Sequence, residues 1–204
     1  MRNELTAALE NRQEAFDLKL TAGQIARLAD YYEIVRRNNE PLHLVAPGSA
    51  EDFAVRHILE SLTLLEFLPE NSAFADVGTG AGLPSIPCLI AREDLRAFLV
   101  ESKLKKANYL KEALDELKLS ARAEIINRQF EEIEKPSEAA FVACRALDKF
   151  TQKLPKLLRW SRESGLLFFG GPSLHGELVK NKVRFSEKLM PLSEQRFLFY
   201  AGKI

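Results

Sequence analysis

Between a run of β-forming residues and a helical stretch lies Asp76-Val77-Gly78-Thr79-Gly80-Ala81-Gly82. Alternating glycines let a chain turn sharply and bring its backbone against a ligand with no Cβ in the way. A strand before such a loop and a helix after it is the setting in which an open α/β sheet holds a nucleotide at its strand ends. A dinucleotide fingerprint would need glycine at the sixth position counted from Gly78, where Leu83 stands, and no Gly-Lys-Ser/Thr follows to make a phosphate loop. The spacing Asp-x-Gly-x-Gly-x-Gly fits instead a nucleoside cofactor without a pyrophosphate. Glu101 closes the next β-rich run, Ala97–Val100, 23 residues after Gly78. A carboxylate there can accept hydrogen bonds from both hydroxyls of a ribose. The plain alternatives are a tight strand–helix turn and a surface glutamate at a strand end.

Other chemistry-bearing residues are sparse. His43, His57 and His175 are far apart and carry no metal-ligand spacing, so no metal is expected. Cys88 and Cys144 cannot make a disulfide framework. Cys88 falls in a helical segment and reads as core packing rather than as a nucleophile. Arg145, Lys149, Lys153 and Lys156 recur at steps of four, four and three, with Trp160 four residues on. On one helical face they would form a phosphate-binding stripe with an aromatic for stacking, although Pro155 interrupts the pattern. Lys103, Lys105, Lys106 and Lys111 form a second cluster, read as a solvated helix face.

The charge distribution leaves open a polyanionic partner or a mixed solvated surface. The chain has 29 Lys/Arg and 29 Asp/Glu over 204 residues. Residues 1–102 hold nine basic and sixteen acidic side chains, and residues 103–204 hold twenty and thirteen. A net charge of zero therefore hides a basic second half, and phosphate binding needs only a local cluster. The apolar share of 46% excludes a disordered chain, and no long uncharged apolar run suggests a membrane span. No signal peptide is expected, and the cytoplasm is the expected compartment.

These residues need a scaffold. Thr21-Ala22-Gly23-Gln24 fits a capping box opening a helix with Ile25, Leu28, Tyr32 and Val35 at helical spacing, stopped by Asn38-Asn39-Glu40-Pro41. A second helix opens near Ser49, and an earlier one covers residues 3–15. From residue 74, β-rich runs at 74–78, 97–101, 122–126, 140–144 and 166–169 alternate with helices at Pro84–Ala91 and Leu104–Lys118. Alternation of this kind predicts right-handed crossovers and a parallel sheet covered on both faces. Residues 182–190 and 196–201 would close the sheet as antiparallel strands. The fold expected is α/β: a Rossmann-like S-adenosylmethionine-dependent methyltransferase sheet, mostly parallel with an antiparallel last strand. A helical extension, residues 1–70, packs as one unit with the domain at 71–204.

The sequence resembles the RsmG (GidB) family of bacterial 16S rRNA methyltransferases. The resemblance is carried by Val55-Arg56-His57-Ile58-Leu59-Glu60-Ser61, by Asp76 to Pro84 with Ile86-Pro87, by Leu99-Val100-Glu101-Ser102, and by Cys144-Arg145-Ala146. It implies methylation of ring nitrogen 7 of a guanine in 16S rRNA or a small-subunit precursor, with S-adenosyl-L-methionine as cofactor, by a monomer. It implies cofactor contacts from Asp76, Gly78, Gly80, Leu83, Glu101, Gln129 and Phe130. Arg145 would face the cofactor or the base, as the catalytic residue. Lys149, Lys153 and Lys156 are the candidate RNA contacts. Arg56 or His57 would border the mouth of the site. The chain departs from the family pattern at Leu42-His43-Leu44-Val45-Ala46, at Phe169-Gly170-Gly171 and at Cys144. Nitrogen 7 carries a lone pair and no proton, so the chemistry requires alignment rather than a general base.

Overall fold

The structure is a computed structural model and describes residues 1–145, 147 and 150–203. Two helices open it, α1 (Arg2–Arg12) and α2 (Ala22–Leu42). Thr21 caps α2 as its spacing with Gln24 predicts: Thr21 Oγ1 accepts from the Gln24 N–H and Gln24 Oε1 accepts from the Thr21 N–H. The Gln24 amide also donates to the Ala91 carbonyl at 2.7 Å, tying the start of α2 to the body of the protein. The helix does not stop at Asn38-Asn39 but runs through Pro41. Asn39 acts as its closing clamp: Oδ1 accepts from the Leu44 and Val45 N–H groups at 2.9 Å, and Nδ2 donates to the Val45 carbonyl.

Next comes one continuous helical rod of mixed pitch. It consists of α3 (Ala50–Asp52), a π-helical turn (Phe53–Leu59), α4 (Glu60–Leu62) and a 3₁₀ turn (Thr63–Glu66). Ser49 and Asp52 cap it reciprocally. A π turn inside an α-helix is uncommon and often marks a functional site.

The sheet is built from β1 (Ala73–Val77), β2 (Arg96–Val100), β3 (Ala123–Ile126), β4 (Phe141–Cys144), β5 (Gly165–Gly170), β6 (Ser186–Leu189) and β7 (Phe197–Ala201), in the order β3-β2-β1-β4-β5-β7-β6. β1 to β5 are parallel, and β7 lies antiparallel between β5 and β6. The connecting helices are α5 (Ser85–Ala91), α6 (Leu104–Glu116), α7 (Phe150–Trp160) and α8 (Pro172–Lys180). Sequence periodicity did not predict α8; Pro172 starts it immediately after Gly170-Gly171.

Strand residues alternate between two cores, as the pleat requires. Phe74, Leu99, Leu167 and Phe169 pack with α1, α2, α5, α6 and the mixed rod; Val100, Val142, Leu166 and Phe168 pack with α7 and α8. The N-terminal helices therefore share one apolar cluster with the sheet face beneath the glycine loop. The link is also polar. Tyr31 of α2 and Tyr109 of α6, both buried, donate their hydroxyls at 3.1 Å to the same carbonyl, that of Ala81 in the loop. Burial raises both phenol pKa values, so both remain donors at any physiological pH. Tyr31→Phe or Tyr109→Phe should each cost about 0.5–1.5 kcal/mol in urea unfolding. The double variant, which strips a buried carbonyl of both donors, should cost at least their sum.

Candidate functional site

Strand order reverses beside β1: β2 and β3 extend one way, β4 and β5 the other. Crevices form at such switch points, at the carboxyl ends of the strands. A cavity of about 310 Å³ lies there, and its wall includes Gly78, Gly80, Leu83, Glu101, Lys103, Arg145, Leu147 and Lys153. The loop turns at Gly78 (φ +72°), where a Cβ would also meet Leu147 at 3.0 Å. Gly82 (φ +94°) is tighter still: a Cβ there would come within 2.4 Å of Ile86. The glycine pattern thus reflects both left-handed backbone and space taken by neighbours.

Asp76 is fully buried under the loop rather than in the cavity wall. Its Oδ2 accepts from the hydroxyls of Thr79 and Ser85, each at 2.7 Å, so it braces both ends of the turn. Burial pushes its carboxyl up to about 7, against the pull of those hydrogen bonds. Its Oδ1 has no hydrogen-bond partner among the described residues.

Glu101, also buried, points the other way, into the cavity. Its Oε2 accepts from the Gly80 N–H at 3.1 Å and its Oε1 from the Lys103 N–H at 2.8 Å. A carboxylate oxygen accepts about two hydrogen bonds. Each oxygen therefore retains one acceptor position, a pair suited to the vicinal hydroxyls of a ribose.

Arg145 leaves the end of β4 and reaches across the cavity to the mixed rod. Its guanidinium donates to the Ser61 hydroxyl at 3.1 Å, to Glu60 Oε2 at 3.3 Å and to the main-chain carbonyl of Arg56, and it lies 5.3 Å from the centre of the Phe169 ring. Arg56 belongs to the π turn, where wider pitch loosens the usual carbonyl pairing. Glu60 is 2% exposed, and its other oxygen accepts from Arg196 Nε at 2.6 Å. Arg-His-Ile-Leu-Glu-Ser is thus the socket of Arg145, a role its spacing did not reveal. Phe169, one of the departures from the family pattern, forms the floor under the guanidinium.

His57, on the same turn, packs against Phe53 with ring centres 5.1 Å apart and lines the cavity. Its Nδ1 is buried and has no hydrogen-bond partner among the described residues. Burial first, then the charges of Arg145 and Arg56, lower its pKa to about 3.

The remaining expected residues lie as follows. Gln129 is exposed and bonds Glu132 at 3.2 Å, and Phe130 is buried in the core; neither lines the cavity. Lys153 does line it, paired with Glu131 at 3.2 Å and 5.6 Å from the Phe130 ring centre. It faces inward and not along an outer stripe. α7 buries Leu154 and Leu157, which turns Lys153 toward the cavity and commits Trp160 to the Ile133 carbonyl at 2.9 Å. Lys156 is exposed, while Lys149 lies outside the described residues. Lys103 and Lys106, read from sequence as a solvated face, line the cavity, and Lys106 donates to the His43 carbonyl at 3.2 Å. They follow Glu101 too closely for an amphipathic pattern to show it. Among the described residues, no cluster of three or more His, Cys, Asp or Glu could hold a metal, and no helix is long and apolar enough to cross a membrane.

Sheet order, glycine loop and strand-end carboxylate define a Rossmann-like methyltransferase fold. Solved structures agree: a SAM-dependent methyltransferase from Aquifex aeolicus superposes with TM-score 0.57 over 84% of this chain and 97% of its own, at 17% identity. A human methyltransferase 10 domain containing protein gives TM-score 0.56 over 86% of this chain and 97% of its own, at 13% identity. The family model of GidB, rRNA small subunit methyltransferase G, matches residues 24–199, and the chain belongs to that family. Ribosomal RNA small subunit methyltransferase G of Pelotomaculum thermopropionicum is 35% identical over 139 residues, 64% of this chain and 58% of that one. The protein of the same name from Sorangium cellulosum is 37% identical over 165 residues, 76% and 67% of the two chains. The matched segments thus span about three fifths to two thirds of these relatives' length.

The two shifted groups oppose each other in their effect on stability. Below about pH 6.5 the unfolded chain protonates His57 and the folded one does not, down to about pH 3, so His57 makes stability fall as pH is lowered through that window. Folded Asp76 keeps until about pH 7 a proton that the unfolded chain releases near 3.8, so Asp76 makes stability fall as pH rises. In urea titrations between pH 7.5 and 5, His57→Leu should gain on the wild type by up to about 1.4 kcal/mol per pH unit as pH drops. Asp76→Asn should drift the opposite way.

Proposed function

We propose that the protein transfers a methyl group from S-adenosyl-L-methionine to ring nitrogen 7 of a guanine in small-subunit ribosomal RNA. The observation that carries this reading is Glu101: a buried carboxylate, fixed by the Gly80 and Lys103 N–H groups, with an acceptor position left on each oxygen. Bound S-adenosyl-L-methionine would supply the electrophile, a methyl group on a sulfonium. Gly78, Gly80 and Leu83 would flank it, Glu101 would take its ribose hydroxyls, and Gln129 and Phe130 would back the adenine side from behind Lys153. Asp76 would act through the loop that it braces.

Arg145 is held rigidly on the opposite wall and would align the reactants without exchanging a proton. Nitrogen 7 attacks with its own lone pair, so the residues here need only orient, exclude water and keep like charge away from the ring. Neutral His57 adds no positive charge of its own there. The substrate would be 16S rRNA or a small-subunit precursor, met in the cytoplasm by a monomer. The exposed Lys156 would touch its phosphates, with Lys149 and Lys153 as the further candidates proposed from sequence.

Glu101→Ala should weaken binding of S-adenosylhomocysteine at least tenfold by calorimetry, since each lost hydrogen bond to a charged group is worth about 1.5–3 kcal/mol. RNA affinity should fall steeply with salt, and Lys156→Gln should flatten the log–log slope by about one unit if it meets one phosphate. Labelled methyl transfer to ribosomal RNA from cells lacking the native enzyme, followed by nucleoside analysis, should yield 7-methylguanosine. Label in another nucleoside, or none at all, would overturn the reading.

A further inference from the structure

A second cavity, about 240 Å³, opens beside the first, within the N-terminal helices. Tyr32 and Val35 of α2, Phe53 and His57 of the π turn, and the strap Val45–Ser49 enclose it, with Asp52 and Arg56 among its polar lining. Val45, Ala46 and His57 belong to both cavities, and Asp52 lines the second and not the first. If the first cavity takes the methyl donor, this shared wall is a side from which an acceptor in the second cavity meets it.

We propose that the second cavity seats the acceptor guanine, with the Asp52 carboxylate taking the N1–H and 2-amino donors of its pairing edge. The inference rests on the methyltransferase reading above. It follows from the shape of the base. The donor edge of guanine and its nitrogen 7 lie on opposite sides of the bicycle. A base held at Asp52, away from the shared wall, therefore directs nitrogen 7 toward it. Tyr32 and Phe53, with ring centres 4.9 Å apart, supply aromatic walls. Asp52 is fixed by its Oδ2, which accepts from the Ser49 N–H at 3.0 Å and the Ser49 hydroxyl at 2.7 Å, while no donor is assigned to Oδ1 among the described residues. The same bonds hold its pKa below the usual carboxylate range, so the acceptor is anionic.

The chemistry gives this carboxylate a role beyond docking. Nitrogen 7 uses its lone pair to form the new N–C bond while the C–S bond breaks and its electrons remain on sulfur. The purine ring takes on the positive charge, with no proton moved. A cationic ring makes N1–H a stronger donor, so its hydrogen bond to Asp52 strengthens along the reaction. An interaction stronger in the transition state than in the ground state raises kcat. Adenine presents no N1–H donor, and its exocyclic amine stands elsewhere on the ring. A carboxylate facing the pairing edge therefore selects guanine.

The test uses the protein saturated with S-adenosylhomocysteine and titrated with GMP, IMP and AMP by equilibrium dialysis. IMP is GMP without the 2-amino group. Wild type should bind GMP about tenfold or more tightly than IMP, the loss of one charge-assisted hydrogen bond, and AMP more weakly still. In Asp52→Asn, whose side-chain oxygen can still accept from the Ser49 N–H, the GMP/IMP ratio should fall below about threefold, with S-adenosylhomocysteine affinity unchanged. The same variant should lose at least about tenfold in kcat on ribosomal RNA. Wild-type protein that does not distinguish GMP from IMP would overturn the proposal, as would an Asp52→Asn variant that keeps the full ratio. Either result leaves the methyltransferase reading standing, because that reading depends on transfer to RNA by the wild type.

Discussion

A guanidinium cannot leave water without acceptors, and at the end of β4 the chain takes one mostly out of it, leaving the side chain 15% exposed. Arg145 sits at the switch point of the sheet, where a charge without partners would cost several kcal/mol. Its partners, the Glu60 carboxylate, the Ser61 hydroxyl and the Arg56 carbonyl, all come from the mixed helical rod. The rod is therefore fixed against the sheet by a charged contact as well as by apolar packing. Arg196, from the loop before β7, shares Glu60, so the far edge of the sheet is tied to the same anion.

That constraint organises what surrounds it. The π turn exposes the Arg56 carbonyl to Arg145 and brings His57 between the two cavities. The desolvation and positive charges that hold His57 neutral come from the same packing. From the other side, Tyr31 and Tyr109 converge on the Ala81 carbonyl and hold the glycine loop against α2 and α6. The N-terminal helices, which the sequence presents as an extension packed as one unit with the sheet, thus supply one wall of the first cavity and nearly all of the second.

Most of the sheet was legible from hydrophobic runs and alternation, because parallel strands buried on both faces are dense in apolar residues. The glycine loop was legible because left-handed backbone dictates its residue type, and Glu101 because a carboxylate stands at the end of the next strand, 23 residues after Gly78. α8 was missed, since Gly170-Gly171-Pro172 signals a break as readily as a helix start. The end of α2 was misjudged because Asn39 reads as a breaker and acts as a clamp. Lys153 and Trp160 were expected on an outer face; which way a short helix turns depends on its buried partners, here Leu154 and Leu157. The socket of Arg145 was beyond local reading, because its two halves are 84 and more residues apart in sequence. Only the family resemblance singled out both segments, without saying that they touch.

The claim that Arg145 and Glu60 act as one buried unit can be measured by a double-mutant cycle on unfolding free energy with Glu60→Gln, Arg145→Met and the double variant. Glu60→Gln should be the costlier change, about 3–5 kcal/mol, because it takes the carboxylate from two guanidiniums, and Arg145→Met should cost less, because Arg196 still pairs with Glu60. The double variant should cost less than the sum by well over 1 kcal/mol. Costs that add to within about 0.5 kcal/mol would mean that the two side chains are independent, and would contradict this account of how the helices and the sheet form one site.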